Sequence, residues 1–358
     1  MARQWKIVSQ EGWEKSLKYE TDVSVPSAEE LGEMQVLVKL HAASLNYREL
    51  MIPAVNSYHG PLTAPVVPGC DGAGEVEAIG SGVTDFKVGD RVVTHIAPAP
   101  AIEKGDDAPV GLFDALGGLG QGLDGVLRSK GVFHEKALSP APKSIGWLAA
   151  STLTCTWSTA WNVLFGVKGH EISKDSWILV EGTGGVSIAV LQIAVAVGAT
   201  VVATTSSEEK AARLKALGAS HVVNYRILKD WGVEARKLTP DGRGFDVCVD
   251  IGGNETLPQA LAAVRTDGFL YVLGGVGAQA DPVPLTAVTL HTCTARGILG
   301  GSRSHMAAVA KFIDEKGIQP AVDDVVFELA DAKQAYKRLE EKKHFSKVII
   351  RIDHSEQE

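Results

Sequence analysis

The stretch from Trp177 to Ser207, WILVEGTGGVSIAVLQIAVAVGATVVATTSS, constrains the fold of this chain more than any other. Trp177–Val180 is a short apolar run suited to burial on both faces, and Gly182-Thr183-Gly184-Gly185 then lets the backbone turn with little side chain in the way. From Val186 to Val197 the apolar residues are dense enough for a helix packed on a sheet. Gly198-Ala199 ends it, and Thr200–Thr205 resumes as a β-branched strand. A parallel strand, turn, helix, strand unit aims backbone N–H groups and the positive end of a helix at whatever lies above the turn, which suits a pyrophosphate. The GxGxxG pattern is altered, because Val186-Ser187-Ile188 follow Gly185 and the third glycine is absent. A glycine turn that merely joins two elements is therefore the alternative.

Where an NAD-binding unit places an Asp or Glu on the ribose hydroxyl, the second strand ends in Thr204-Thr205-Ser206-Ser207. No carboxylate stands there to repel a 2′-phosphate. Ser206 and Ser207 offer hydroxyls, Lys210 follows one turn into the next helix, and Tyr225-Arg226 ends the next strand, so the residues favour NADPH over NADH. The structural alternative is a capping box made by Ser206 and Glu209, with Lys210 a solvated helix residue; both readings can hold together.

With 358 residues, 45% of them hydrophobic, the chain can bury a large core, and its length favours two domains. The formal charge of −8 and the absence of a basic stripe argue against a nucleic-acid surface and for a small-molecule partner. Val186–Ala203 is the one segment resembling a membrane span, but Gln192 and Gly198-Ala199 divide it into pieces too short to cross a bilayer. The N-terminus is charged and signals neither secretion nor import. Cys70, Cys155, Cys248 and Cys293 lie far apart without a CxxC pair, which fits a reducing, cytoplasmic setting.

Up to about Ala137 the chain reads as β-rich, with strands at Gln35–His41, Gly74–Ile79 and Asp90–Thr94. Strand and helix alternate from Trp177 onward, and that contrast places a boundary between about 140 and 160. The Gly-, Pro- and Ala-rich segment 97–131 reads as a long loop, either a mobile flap over the substrate or a surface insertion. Beyond the central unit the pattern predicts helices at Glu208–Leu217, Glu255–Val264, Ser304–Glu315 and Ala330–Glu341, and strands at His221–Tyr225, Phe245–Ile251, Phe269–Leu273 and Lys347–Ile352. Ligands lie at the carboxyl ends of strands in an open α/β sheet, so Ile251, Gly274 and Gly275 are expected to line a cofactor crevice.

Six segments, HAASLNYREL (41–50), VPGCDGAGEVEAIGSGVTDFKVGDRV (67–92), LTCTWSTAWNVLF (153–165), VEGTGGVS (180–187), LKALGASHVVNYR (214–226) and HFSKVII (344–350), together resemble the medium-chain dehydrogenase/reductase superfamily, and within it the zinc-free quinone-oxidoreductase-like branch. The resemblance implies an α/β protein with a GroES-like β-rich catalytic domain, residues 1–150 and 302–358, and a Rossmann doubly wound parallel-sheet cofactor domain, residues 151–301, commonly as a homodimer. In register with the Cys, His and Cys that hold catalytic zinc in zinc-dependent relatives, this chain has Asn46, Cys70 and Cys155, with Asp71 in the place of the neighbouring acid. A neutral Asn oxygen is a poor zinc ligand and the imidazole is lost. The segment that would hold a structural zinc contains no cysteine.

Without a Lewis acid the substrate must accept hydride readily, as a quinone or an α,β-unsaturated carbonyl does, and the charge that builds on oxygen needs hydrogen-bond donors. Asn46 and Tyr47 can supply them, in a cleft expected between the two domains; Cys70 and Cys155 then line the pocket. The expectation is an NADPH-dependent quinone or enone reductase. The alternatives are a zinc-type alcohol dehydrogenase with unusual ligands and a catalytically silent NADPH-binding redox sensor.

Overall fold

The computed structural model describes residues 2–57, 59–62, 64–274 and 280–354. The chain divides into two compact units, Met1–Ser158 with Gly300–Glu358, and Thr159–Leu299.

The first unit is built on a seven-stranded sheet whose central member is the long strand Gln35–Leu45. Its burial is nearly continuous from Val36 to Leu45, broken at Lys39, so the strand is packed on both faces and its β-branched and apolar residues hold it extended. Asp71–Ile79 runs antiparallel to it with Ser44 opposite Asp71, and Val348–Arg351 runs antiparallel on its other side with Leu45 opposite Val348. Lys130–His134 pairs with its first half. One core cluster joins Val36, Val38 and Leu40 to Val348 and Ile350 and to Tyr336 and Leu339 of the helix Ala332–Glu340. The last strand is thus an interior part of this unit although it closes the described chain.

The second unit is a six-stranded parallel sheet. Its order is His221–Asn224, Thr200–Thr205, Trp177–Val180, Phe245–Asp250, Val264–Val272, Thr294–Gly297. The order reverses direction at Trp177–Val180, so a crevice opens at that strand's carboxyl end, where the glycine turn begins. Gly182 has φ 70° and the helix Gly185–Val197 starts directly after Gly184. Gly198, at φ 94°, closes that helix in the left-handed conformation.

Two expectations need correction. The segment 97–131 is not a featureless loop: it holds the helices Pro98–Lys104 and Leu112–Leu116, and Leu119, Val126 and Leu127 are buried in the core of the first unit. Ser207, not Ser206, caps the helix Glu208–Ala216, its Oγ accepting from the Lys210 backbone N–H at 3.2 Å. The strand Thr294–Gly297 and the hairpin of Ala2–Ile7 with Leu17–Val23 are additions that the hydropathy pattern does not announce.

Candidate active site

The register of three strands assembles the polar centre of the first unit. Because Leu45 faces Val348, the chain leaving the long strand at Asn46 meets the chain entering the last strand at Lys347. Because Ser44 faces Asp71, the same level of the sheet carries a carboxylate. Lys347 is 3% exposed and Asp71 is fully buried, with Nζ and Oδ2 3.0 Å apart. Lys347 Nζ also donates to Asn46 Oδ1. Asp71 further accepts from Ser44 Oγ at 3.4 Å and, through Oδ1, from the Cys70 thiol at 3.1 Å. Asn46 Nδ2 donates to Cys70 Sγ at 3.5 Å.

A second layer lies around the short helix Arg48–Met51. Glu49 is buried, accepts from the Asn46 backbone N–H at 2.7 Å, and meets Arg48 Nη1 at 3.4 Å. Arg48 also donates to the Leu119 carbonyl and toward Gln121 Oε1, so the segment 97–131 braces the site from behind. Tyr47 precedes this helix and is 37% exposed, the most exposed member of the group, while Asn46, Arg48 and Cys155 are half-buried. Thr94 Oγ1 donates to the Cys70 carbonyl at 2.6 Å and shares a hydrogen bond with Thr154 Oγ1, which ties Cys70 to the π-helical turn Leu153–Trp157 that carries Cys155.

Burial pushes the Cys70 thiol well above its ordinary value, with Asp71 and Glu49 adding to the effect. Burial, and after it Asp71, pushes Cys155 up to about 12. Burial also raises Glu49, against the pull of Arg48. The Lys347 ammonium occupies the oxygens of Asn46 and Asp71 that a divalent cation would need. The donor set does not fit zinc, and among the described residues no group of three or more His, Cys, Asp or Glu is arranged to hold a metal ion.

The second unit brings the residues expected at the cofactor to the carboxyl ends of its strands. Thr204 Oγ1 accepts from the Gly182 N–H at 3.2 Å and ties the turn to the next strand. Thr183 is buried, and Gly184, Gly185 and Val186 form the start of the helix. Gly184 has an ordinary φ of −76°, and a Cβ there would meet nothing within 4 Å, as is also true at Gly182. Neither backbone strain nor packing requires glycine at position 184, the N-cap of this helix, and the space in front of the helix N-terminus is open there. Thr205 and Asn224 are register partners, so Ser206 and Ser207 leave the sheet beside Tyr225, which is 41% exposed, and Lys210 stands in the first turn of the helix that Ser207 caps. A Cβ on Gly274 would lie 3.3 Å from the Ile251 carbonyl, so these two strand ends are neighbours; Gly275 lies outside the described residues. Beneath the turn Glu181 and Asp250 form a buried acid pair, and burial followed by the Asp250 charge holds Glu181 well above the usual carboxylate range.

Sequence reasoning missed Lys347, Glu49, Arg48, Ser44 and Glu181. Lys347 carries the clearest retrospective signal, a cation directly abutting the apolar run Val348-Ile349-Ile350.

Two family models match the chain: "Alcohol dehydrogenase GroES-like domain" over residues 32–145 and "Zinc-binding dehydrogenase" over residues 185–315. The chain is 39% identical over 329 residues to a zinc-type alcohol dehydrogenase-like protein of Schizosaccharomyces pombe, covering 91% of this chain and 93% of that protein. It is 25% identical over 323 residues to an acryloyl-coenzyme A reductase of Sulfurisphaera tokodaii, covering 89% and 93%. A crystal structure from Sinorhizobium meliloti 1021, described as an alcohol dehydrogenase, superposes with a TM-score of 0.86 at 34% identity and covers 98% of each chain.

Gly184→Ala is expected to change stability by about 1 kcal/mol or less, the range for a cap position, while raising the dissociation constant for NADPH about tenfold or more, a loss of roughly 1.4 kcal/mol. Calorimetric titration checks this, and an unchanged NADPH affinity would contradict it.

Proposed function

Starting from a chain that belongs to the medium-chain dehydrogenase/reductase superfamily, we propose that it is an NADPH-dependent reductase of quinones or α,β-unsaturated carbonyls that works without a metal. The observation that carries this reading is the Lys347 ammonium hydrogen-bonded to Asn46 and Asp71 at the level where a metal would need ligands. A site of this kind polarises nothing as a Lewis acid, but it holds hydrogen-bond donors in a dry, fixed frame. The acryloyl-coenzyme A reductase relative acts on an activated double bond by its name, which agrees with that chemistry.

When bound, NADPH supplies a hydride, and the substrate accepts it at a β-carbon or a quinone ring position. The electron pair displaced by that addition moves onto the conjugated oxygen. Asn46 Nδ2 and the Tyr47 hydroxyl stabilise the oxyanion, and a proton from Tyr47 or from solvent completes the reduction. Asp71, Lys347, Cys70 and Glu49 hold the Asn46 turn in place, and Cys155 completes the pocket wall. For the cofactor, Gly182, Gly184 and Gly185 receive the pyrophosphate, and Ser206, Ser207, Lys210 and Tyr225 surround the 2′-phosphate. The second unit's sheet ends in the edge strand Thr294–Gly297, paired on one side with Val264–Val272, close in sequence to the exposed Leu290, and we assign homodimer formation to that edge.

The names of the relatives favour a second reading, a zinc-type alcohol dehydrogenase. NADPH oxidation with 2-cyclohexen-1-one and p-benzoquinone, run beside NADP+ reduction with primary and secondary alcohols, separates the two. The proposal expects turnover with an enone or quinone and none with alcohols. Alcohol oxidation alone would overturn it, and tight NADPH binding with no turnover would point to a silent sensor. Tyr47→Phe is expected to lower kcat up to about a hundredfold, since a fully used oxyanion donor is worth roughly 2.7 kcal/mol or more. It should leave the dissociation constant for NADPH unchanged.

Cofactor choice is tested by charge. Lys210→Ala should weaken NADPH binding by about 1–3 kcal/mol, the range for a charge-assisted hydrogen bond, and leave NADH nearly untouched. Equal losses for both cofactors in parallel titrations would refute the assignment.

A further inference from the structure

We infer that Lys347 fixes which face of the Asn46 amide is offered to a substrate, which makes it a positioning residue for the reduction; this rests on the reading of Asn46 as a donor to the substrate oxygen. An ammonium carries three N–H donors and no acceptor, so it can bind an Asn side chain only through its carbonyl oxygen. Lys347 Nζ donates to Asn46 Oδ1. The NH2 group is then forced onto the opposite branch of the amide. One of its hydrogens goes to Cys70 Sγ at 3.5 Å, and the other remains for a ligand on a side chain that is only half-buried.

Turning the amide over would press its NH2 against the buried ammonium and present an oxygen to the pocket. That oxygen would repel a developing oxyanion. The lysine cannot swing aside to allow it, because Asp71 Oδ2 holds Nζ at 3.0 Å and both side chains are at most 3% exposed. Asp71 is fixed in turn by Ser44 Oγ and the Cys70 thiol. The fixed charge beside Oδ1 also draws electron density toward it through the conjugated amide, which makes the remaining N–H a stronger donor. Asn46 alone could supply a donor or an acceptor; Lys347 makes it a donor.

A double-mutant cycle on the full-length protein with saturating NADPH tests this. The electron acceptor is 2-cyclohexen-1-one, or p-benzoquinone if the quinone is reduced faster. Lys347→Met alone would leave Asp71 buried and unpaired, so the cycle uses Lys347→Met with Asp71→Asn, and thermal melts confirm folding. Asn46→Ala is expected to lower kcat about tenfold or more, as for loss of an oxyanion donor. The Lys347→Met, Asp71→Asn variant should fall similarly, and the triple variant should be no slower than Asn46→Ala. The KM for NADPH should stay constant throughout, and Lys347→Arg, which also only donates, should recover part of the lost kcat.

Full activity of the Lys347→Met, Asp71→Asn variant beside an impaired Asn46→Ala overturns the inference and leaves the Asn46 reading intact. Losses that multiply in the triple variant, or a rising KM for NADPH, overturn it in the same way. A fully active Asn46→Ala, or a wild type that reduces neither acceptor, removes the reading on which it rests.

Discussion

The contact between Lys347 and Asp71 depends on the C-terminal strand reaching the middle of the first unit. Nζ and Oδ2 meet at 3.0 Å with both side chains withdrawn from water. Neither charge is tolerable there alone, since burying one without a partner is strongly unfavourable. The two are brought together by antiparallel pairing on either side of Gln35–Leu45, with Ser44 opposite Asp71 and Leu45 opposite Val348. A shift of one residue in either register would turn the groups to opposite faces of the sheet. The polar site and the apolar core of this unit are thus specified by the same pairing.

Around that pair the site balances two carboxylates, Asp71 and Glu49, against two cations, Lys347 and Arg48. The thiols of Cys70 and Cys155 stay neutral in such surroundings because burial and nearby carboxylates disfavour a further negative charge. Tyr47 is the most exposed member of this group, and Asn46 is half-buried beside it. In the second unit the glycine turn instead presents main-chain N–H groups with open space at Gly182 and Gly184.

The central unit was the most legible part of the chain. Trp177–Val180 and Thr200–Thr205 are predicted to the residue, because short β-branched runs bounded by glycines admit few other structures. Gly184 is visible as part of a motif, but that packing does not require glycine there needs coordinates. Motif register groups Asn46, Cys70, Asp71 and Cys155, and the first three are in hydrogen-bond contact in the fold. From the sequence Lys347 is only the first residue of a strand: its abutment on Val348-Ile349-Ile350 hints at burial, but its partner Asn46 is 301 residues away. The segment 97–131 misled because its glycines and prolines serve tight packing, as at Gly125, whose Cβ would lie 1.9 Å from the Gly69 carbonyl oxygen.

The central claim is that a protonated lysine, and not a metal, is the positive charge at the Asn46 site. Metal analysis of protein purified without chelators and then dialysed against a zinc-containing buffer tests it most directly, with activity followed after added chelator. The account predicts substoichiometric zinc and unchanged reduction of the enone or quinone. One zinc per chain, with activity lost on chelation and restored by zinc, would contradict it.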